Sequence, residues 1–117
     1  MNKLSKKELK NLESIFTRIQ RKVENGINEL YDLPPIRVAK VWKRDEGGGG
    51  KSISITGDTI EKAAVNYSSI SGKNLPDSSI ATKLKSASKK FHALGVSVIA
   101  HPMNPFCPTS HMNVRIF

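Results

Sequence analysis

Apolar residues recur at three- and four-residue steps from Leu9 through Leu12, Ile15/Phe16, Ile19, Val23 and Ile27 to Leu30. That spacing puts them on one side of an α-helix. Ser5, with Glu8 three residues later, forms the capping box that opens such a helix. Gly26 weakens it late, and Pro34-Pro35 forbids its continuation. One long amphipathic helix is therefore predicted, its apolar stripe packed in a core and its Lys and Arg residues opposite. Beyond the prolines the period changes. Residues 36–43, IRVAKVWK, alternate apolar and basic side chains as a half-buried strand does. A glycine turn follows, then a strand over Lys51–Thr56, and Gly57-Asp58 makes a second turn. The run TIEKAAVNYSSISG suits either a strand or irregular structure. Leu75-Pro76-Asp77 breaks the chain. Residues 78–94 then place Ile80, Leu84, Ala87, Phe91 and Leu94 on one helical face, with Gly95 positioned as a C-terminal cap. Two strands close the chain, Val96–His101 and His111–Phe117, joined by a proline-rich loop. The order predicts an α+β protein, an antiparallel sheet flanked by helices.

Composition narrows the class. With 117 residues the chain has room for a single domain, 1–117, with one modest core. Hydrophobic residues make up 38% and charged residues 25%, the balance of a globular rather than a disordered protein. The one cysteine, Cys107, excludes an internal disulfide and a cysteine-rich zinc site. No apolar run approaches membrane-spanning length, and MNKLSKKELK lacks the apolar core of a secretory signal, so a cytoplasmic protein is expected. The formal charge of +9 points to an anionic partner. Nucleic acid is disfavoured, because the lysines are not interleaved with aromatics and no nucleic-acid motif is present. A small polycarboxylate fits the charge equally well.

The stretch RDEGGGGKSISI suggests a phosphate cradle, and its spacing argues against one. A Walker A loop has a glycine five residues before the Gly-Lys-Ser, where this chain has Asp45. A helix must also follow directly, yet Ile53-Ser54-Ile55-Thr56 reads as a strand. The stronger chemistry lies at the end of the chain. In HMNVRIF, alternation sends His111, Asn113, Arg115 and Phe117 one way and Met112, Val114 and Ile116 the other. In VSVIAH it groups Ser97, Ile99 and His101 opposite Val96, Val98 and Ala100. If the two strands pair with His101 across from His111, Ile99 faces Asn113 and Ser97 faces Arg115, and the polar groups converge. Such a set suits a carboxylated ligand: Arg115 clamps a carboxylate bidentately, Ser97 and Asn113 add hydrogen bonds, and the imidazoles move protons. A solvated sheet face is the plainer alternative, but it more often carries Lys, Glu and Thr. As metal ligands, two histidines need a third that the neighbouring sequence does not supply. His92 is out of register with both and reads as a surface residue. Cys107, isolated in its loop, reads as packed or incidental rather than as a nucleophile.

Several blocks together resemble the oxygen-dependent coproporphyrinogen-III oxidase family of haem biosynthesis. They are WKRDEGGGG, EKAAVNYS, the LP of GKNLP, and above all FHALGVSVIAHPMNPFCPTSHMNVRIF. The likeness runs from about Trp42 to the end, and the helical N-terminus matches in character alone. It implies an oxidoreductase that decarboxylates two propionates of coproporphyrinogen III to vinyl groups, giving protoporphyrinogen IX, with molecular oxygen as acceptor. It also implies a homodimer, no organic cofactor, and a divalent metal such as manganese. By the same resemblance His111 is the proton donor, His101 and His111 are metal ligands, and Ser97, Asn113, Val114 and Arg115 bind substrate. Alternation turns the Val114 side chain toward the core, so its contact with a ligand would be through the backbone. The chain departs from the family pattern at Lys40, where an acidic residue is common, at Ile53, where arginine is, and at Ala64, where glycine is. Family members are also longer, so the chain reads as the N-terminal portion of such an enzyme. An open sheet edge would then favour self-association. The alternative is a catalytically inactive module that binds a porphyrin-like polycarboxylate or nucleic acid.

Overall fold

The computed structural model describes residues 5–72 and 91–116. Helix α1 spans Lys6–Asn28, and the strands are β1 Ile36–Lys43, β2 Gly48–Thr56, β3 Ile60–Gly72, β4 Phe91–Pro102 and β5 Ser110–Ile116. They form one antiparallel sheet in the order β1-β2-β3-β4-β5, each strand beside its neighbour in sequence. The α+β class is as expected, with α1 the helix seen among the described residues.

The helix begins where its cap predicts. The Ser5 side chain accepts the amide hydrogen of Glu8 at 3.1 Å, satisfying one of the unpaired donors of the first turn. Phe16 and Ile27 of the apolar stripe are buried, and Leu9, Leu12, Ile19 and Val23 pack against the core. Ile15 and Leu30 are exposed. The core they meet is one face of the sheet: Ile53 and Ile55 of β2, Ala63, Val65 and Tyr67 of β3, and Leu94, Val96 and Val98 of β4. Ile55, Val65 and Val96 are fully buried.

Two buried polar residues interrupt the helix stripe. Gln20 reaches across to the sheet, its Nε2 donating to the Lys51 carbonyl at 2.8 Å and the Val65 carbonyl at 3.0 Å. Glu24 accepts from the Arg37 guanidinium on β1. Gln20→Ala removes both bonds, and at about 0.5–1.5 kcal/mol for each it should cost about 1–3 kcal/mol. Chemical denaturation measures this, and an unchanged midpoint would mean that the carbonyls find other partners.

Several expectations need correction. The run after Gly57-Asp58, whose sequence suits either a strand or irregular structure, is the 13-residue strand β3, with a bulge between Ile60 and Lys62. The glycines do not all form the turn. The chain reverses over Arg44–Gly47, with Gly47 N–H donating to the Arg44 carbonyl at 3.1 Å, and Gly48–Gly50 already belong to β2. Gly47 and Gly48 have φ of 121° and 93°, where a side chain is strained. The helix predicted for 78–94 falls mostly on residues outside those described, but Phe91–Leu94 are in β4 and Gly95 sits mid-strand instead of capping a helix. β1 has the predicted bounds, yet it is exposed along nearly its whole length. Its Ile36, Val38 and Trp42 point away from α1, while Arg37 and Ala39 share the face of Ile55 and Ile53.

Candidate functional site

Strand register assigns every side chain to one of two faces. The face away from α1 carries Ser97 and His101 of β4 together with His111, Asn113 and Arg115 of β5. Those five residues share one surface, as alternation predicts. Val114 lies on the other face, beside Val96. The predicted pairing is off by two residues: Ser97 is opposite Asn113, Ile99 opposite His111, and Gly95 opposite Arg115. A shift of two keeps every residue on its face, which is why the constellation survives the error. The true register follows from the β4–β5 connection. There Asn104 accepts from Cys107 N–H at 3.1 Å through its carbonyl and from Phe106 N–H at 2.9 Å through its side chain. Thr109 Oγ1 lies 3.4 Å from His101 Nδ1, so threonine rather than His111 stands beside His101.

Register also extends the surface across the sheet. Ser97 and Asn113 continue through Asn66 and Ser52 to Lys40 on β1. The next row runs from Arg115 through Gly95, Ser68 and Gly50 to Trp42. The glycines leave this row low. A Cβ on Gly95 would sit 2.9 Å from Arg115 Cγ, and one on Gly50 would sit 2.6 Å from Trp42 Cζ2. Arg115 and Trp42 therefore lie against the sheet at the two ends of a nearly bare strip. His101 pairs with Lys62 of β3. No Asp or Glu occupies a paired position on this face among the described strands, whereas Lys40, Lys62 and Arg115 all do. The described carboxylates lie on α1, in connections, or at the irregular start of β3. The charges at paired positions of this face are thus all positive, with Glu61 unpaired at the bulge beside Lys62. The face attracts anions without internal salt bridges to be broken first.

A second hollow lies elsewhere. Between α1 and the β1–β2 edge lies a cavity of about 600 Å³ lined by Glu13, Gln20, Glu24, Arg37, Lys51 and Tyr67 among others. It is on the helix side, across the sheet from Arg115. Its groups are largely paired: Arg37 with Glu24, and the Tyr67 hydroxyl donating to Glu13 at 3.3 Å. Burial, helped by the Glu13 charge, pushes the Tyr67 phenol up to about 12, so it remains a donor through the neutral range. These residues were not singled out in the sequence, because their partners are brought together only by the docking of α1. His92 is corrected as well. It lies in β4 on the helix side, half-buried, with its Nδ1 buried and unpartnered among the described residues. Cys107 is exposed and free.

Among the described residues, the sheet, its helix-covered face and an opposite face with no Asp or Glu at a paired strand position define an α+β protein. A model of the coproporphyrinogen III oxidase family matches residues 11–117. The chain belongs to that family, whose function lies in porphyrin and haem biosynthesis. No described helix is long and apolar enough to cross a membrane.

Proposed function

We propose that the open sheet face binds coproporphyrinogen III and takes part in its oxygen-dependent oxidative decarboxylation. The observation that carries this reading is the gathering of Ser97, His101, His111, Asn113 and Arg115 on one face that holds no paired carboxylate. Arg115 is the bidentate clamp for a propionate, and Ser97 and Asn113, directly opposite each other, hydrogen-bond the same ligand edge. Val114 contributes through its backbone alone. His111, exposed at the start of β5, is the proton donor. For each propionate, the Cβ hydrogen passes with its electron pair to molecular oxygen, giving the hydroperoxide anion, while the bond to the carboxylate breaks, carbon dioxide leaves and that bond's electron pair becomes the new C=C bond. The vinyl group forms, and a proton from the protein completes hydrogen peroxide.

A divalent metal is the family expectation at His101 and His111. The two imidazoles are diagonal neighbours on adjacent strands, about 7–8 Å apart at Cα. No group of three His, Cys, Asp or Glu that could hold a metal occurs among the described residues. Two nitrogen donors with no carboxylate beside them fit a manganese-type ion poorly, since that ion favours oxygen ligands.

The test is conversion of coproporphyrinogen III by the purified chain, followed as protoporphyrin fluorescence after oxidation, with and without oxygen. Conversion that requires oxygen and releases hydrogen peroxide is expected. Conversion at the same rate under argon would overturn the oxygen-dependent reading. The second reading, a module that binds without turnover, is favoured by the openness of the face, on which His101, His111, Asn113 and Arg115 are all exposed. Tight binding with no conversion under either atmosphere would establish it.

A further inference from the structure

We infer that Lys40 and Lys62 form a second anchoring zone on the same face, which makes the surface selective for ligands with carboxylates at several separated corners. This rests on the proposed reading of the face and names residues that reading does not use. Both lysines are exposed, and both point away from α1. Lys40 closes the row Asn113–Ser97–Asn66–Ser52, and Lys62 stands beside His101. Neither forms a salt bridge, the described bridges being Arg37–Glu24 and Arg44–Glu46.

Their placement relative to Arg115 sets the selectivity. Strands about 4.8 Å apart and a rise of about 3.3 Å per residue put the Cα atoms of Lys40 and Lys62 roughly 17 Å apart, with Arg115 roughly 20 Å from each. The cations thus mark three corners of a broad triangle, and their long stems close part of each gap. Its interior is floored by small or polar side chains: Ser52, Ser54, Ala64, Asn66, Ser68 and Ser97. A compact dicarboxylate engages one corner. A flat ring with carboxylates around its rim engages several at once, and the low floor lets its plane approach the sheet. Lysine suits the outer corners because a flexible point charge tolerates variation in where a rim carboxylate falls.

The experiment compares binding of coproporphyrin III, with four carboxylates, and mesoporphyrin IX, with two on adjacent corners, by absorbance titration of the purified chain. Lys40→Gln and Lys62→Gln should each weaken coproporphyrin III about three- to fivefold, the range of a partly exposed ion pair. Mesoporphyrin IX should change by less than about twofold. Lys43→Gln, on the helix side of β1, should alter neither. Arg115→Ala should weaken both ligands. If Arg115→Ala weakens both while the lysine variants leave the ratio of the two affinities at its wild-type value, the second zone is refuted and the reading of the face stands. If Arg115→Ala changes neither affinity, the reading of the face falls and the second zone with it. All four side chains are exposed, so unaltered circular dichroism spectra should accompany every outcome.

Discussion

Arg115→Ala is expected to weaken coproporphyrin III binding about 10- to 100-fold, the worth of a charge-assisted bidentate contact. The size follows from position. Arg115 is the one arginine at a paired position of the open face among the described strands, it lies along Gly95, and no carboxylate occupies a paired position there to compete for it. Arg115→Lys should recover only part of the loss, because an ammonium keeps the charge and gives up the two parallel N–H donors. Gly95→Ala is an independent check. The new Cβ would lie 2.9 Å from Arg115 Cγ and 3.2 Å from the Val114 carbonyl, lifting the arginine without removing it. An affinity between those of wild type and Arg115→Ala is expected. Unchanged affinity in all three variants would mean that the guanidinium does not meet the ligand.

What sequence made visible, and what it hid, divides along local and non-local lines. The Ser5 cap, the apolar stripe and the bounds of β1 depend on neighbours within a few residues, and they were legible. So was the facing of Ser97, His101, His111, Asn113 and Arg115, since alternation is a property of each strand by itself. Register was not. It depends on how the Asn104 turn closes the nine-residue span between His101 and His111, and no residue pattern distinguishes a slip of two. Phe91–Leu94 misled for a different reason. Phe91 and Leu94 fall three apart, a helical step, and only pairing with Ser69–Gly72 settles them as strand. The apolar residues of β1 misled in turn. Ile36, Val38 and Trp42 alternate correctly, but they line the open face, and Arg37 takes the helix side because Glu24 awaits it there. The cleft under α1 was invisible because Gln20 and Glu24 look like breaks in the stripe until their sheet partners are known.

On the proposed mechanism, His111→Asn should lower kcat for coproporphyrinogen III by about 10²- to 10⁴-fold, the usual contribution of a positioned acid or base. KM should change little. Asparagine keeps a polar side chain of similar reach, so binding through Arg115, Ser97 and Asn113 persists while the proton carrier is lost. The proposed separation of roles rests on placement. His111 pairs with Ile99, an apolar neighbour, and stands one residue past the start of β5 on the exposed rim of the face. His101 is placed differently, with Thr109 within 3.4 Å of its Nδ1 and Lys62 across the strand pair. With Thr109 at its Nδ1, His101 has one ring nitrogen already engaged, so His101→Asn should affect kcat less than His111→Asn does. Steady-state kinetics of the two variants under air decides the matter. A rise in KM with kcat preserved in His111→Asn would make that imidazole a binding contact. A larger kcat loss in His101→Asn would move the proton-donating role to β4.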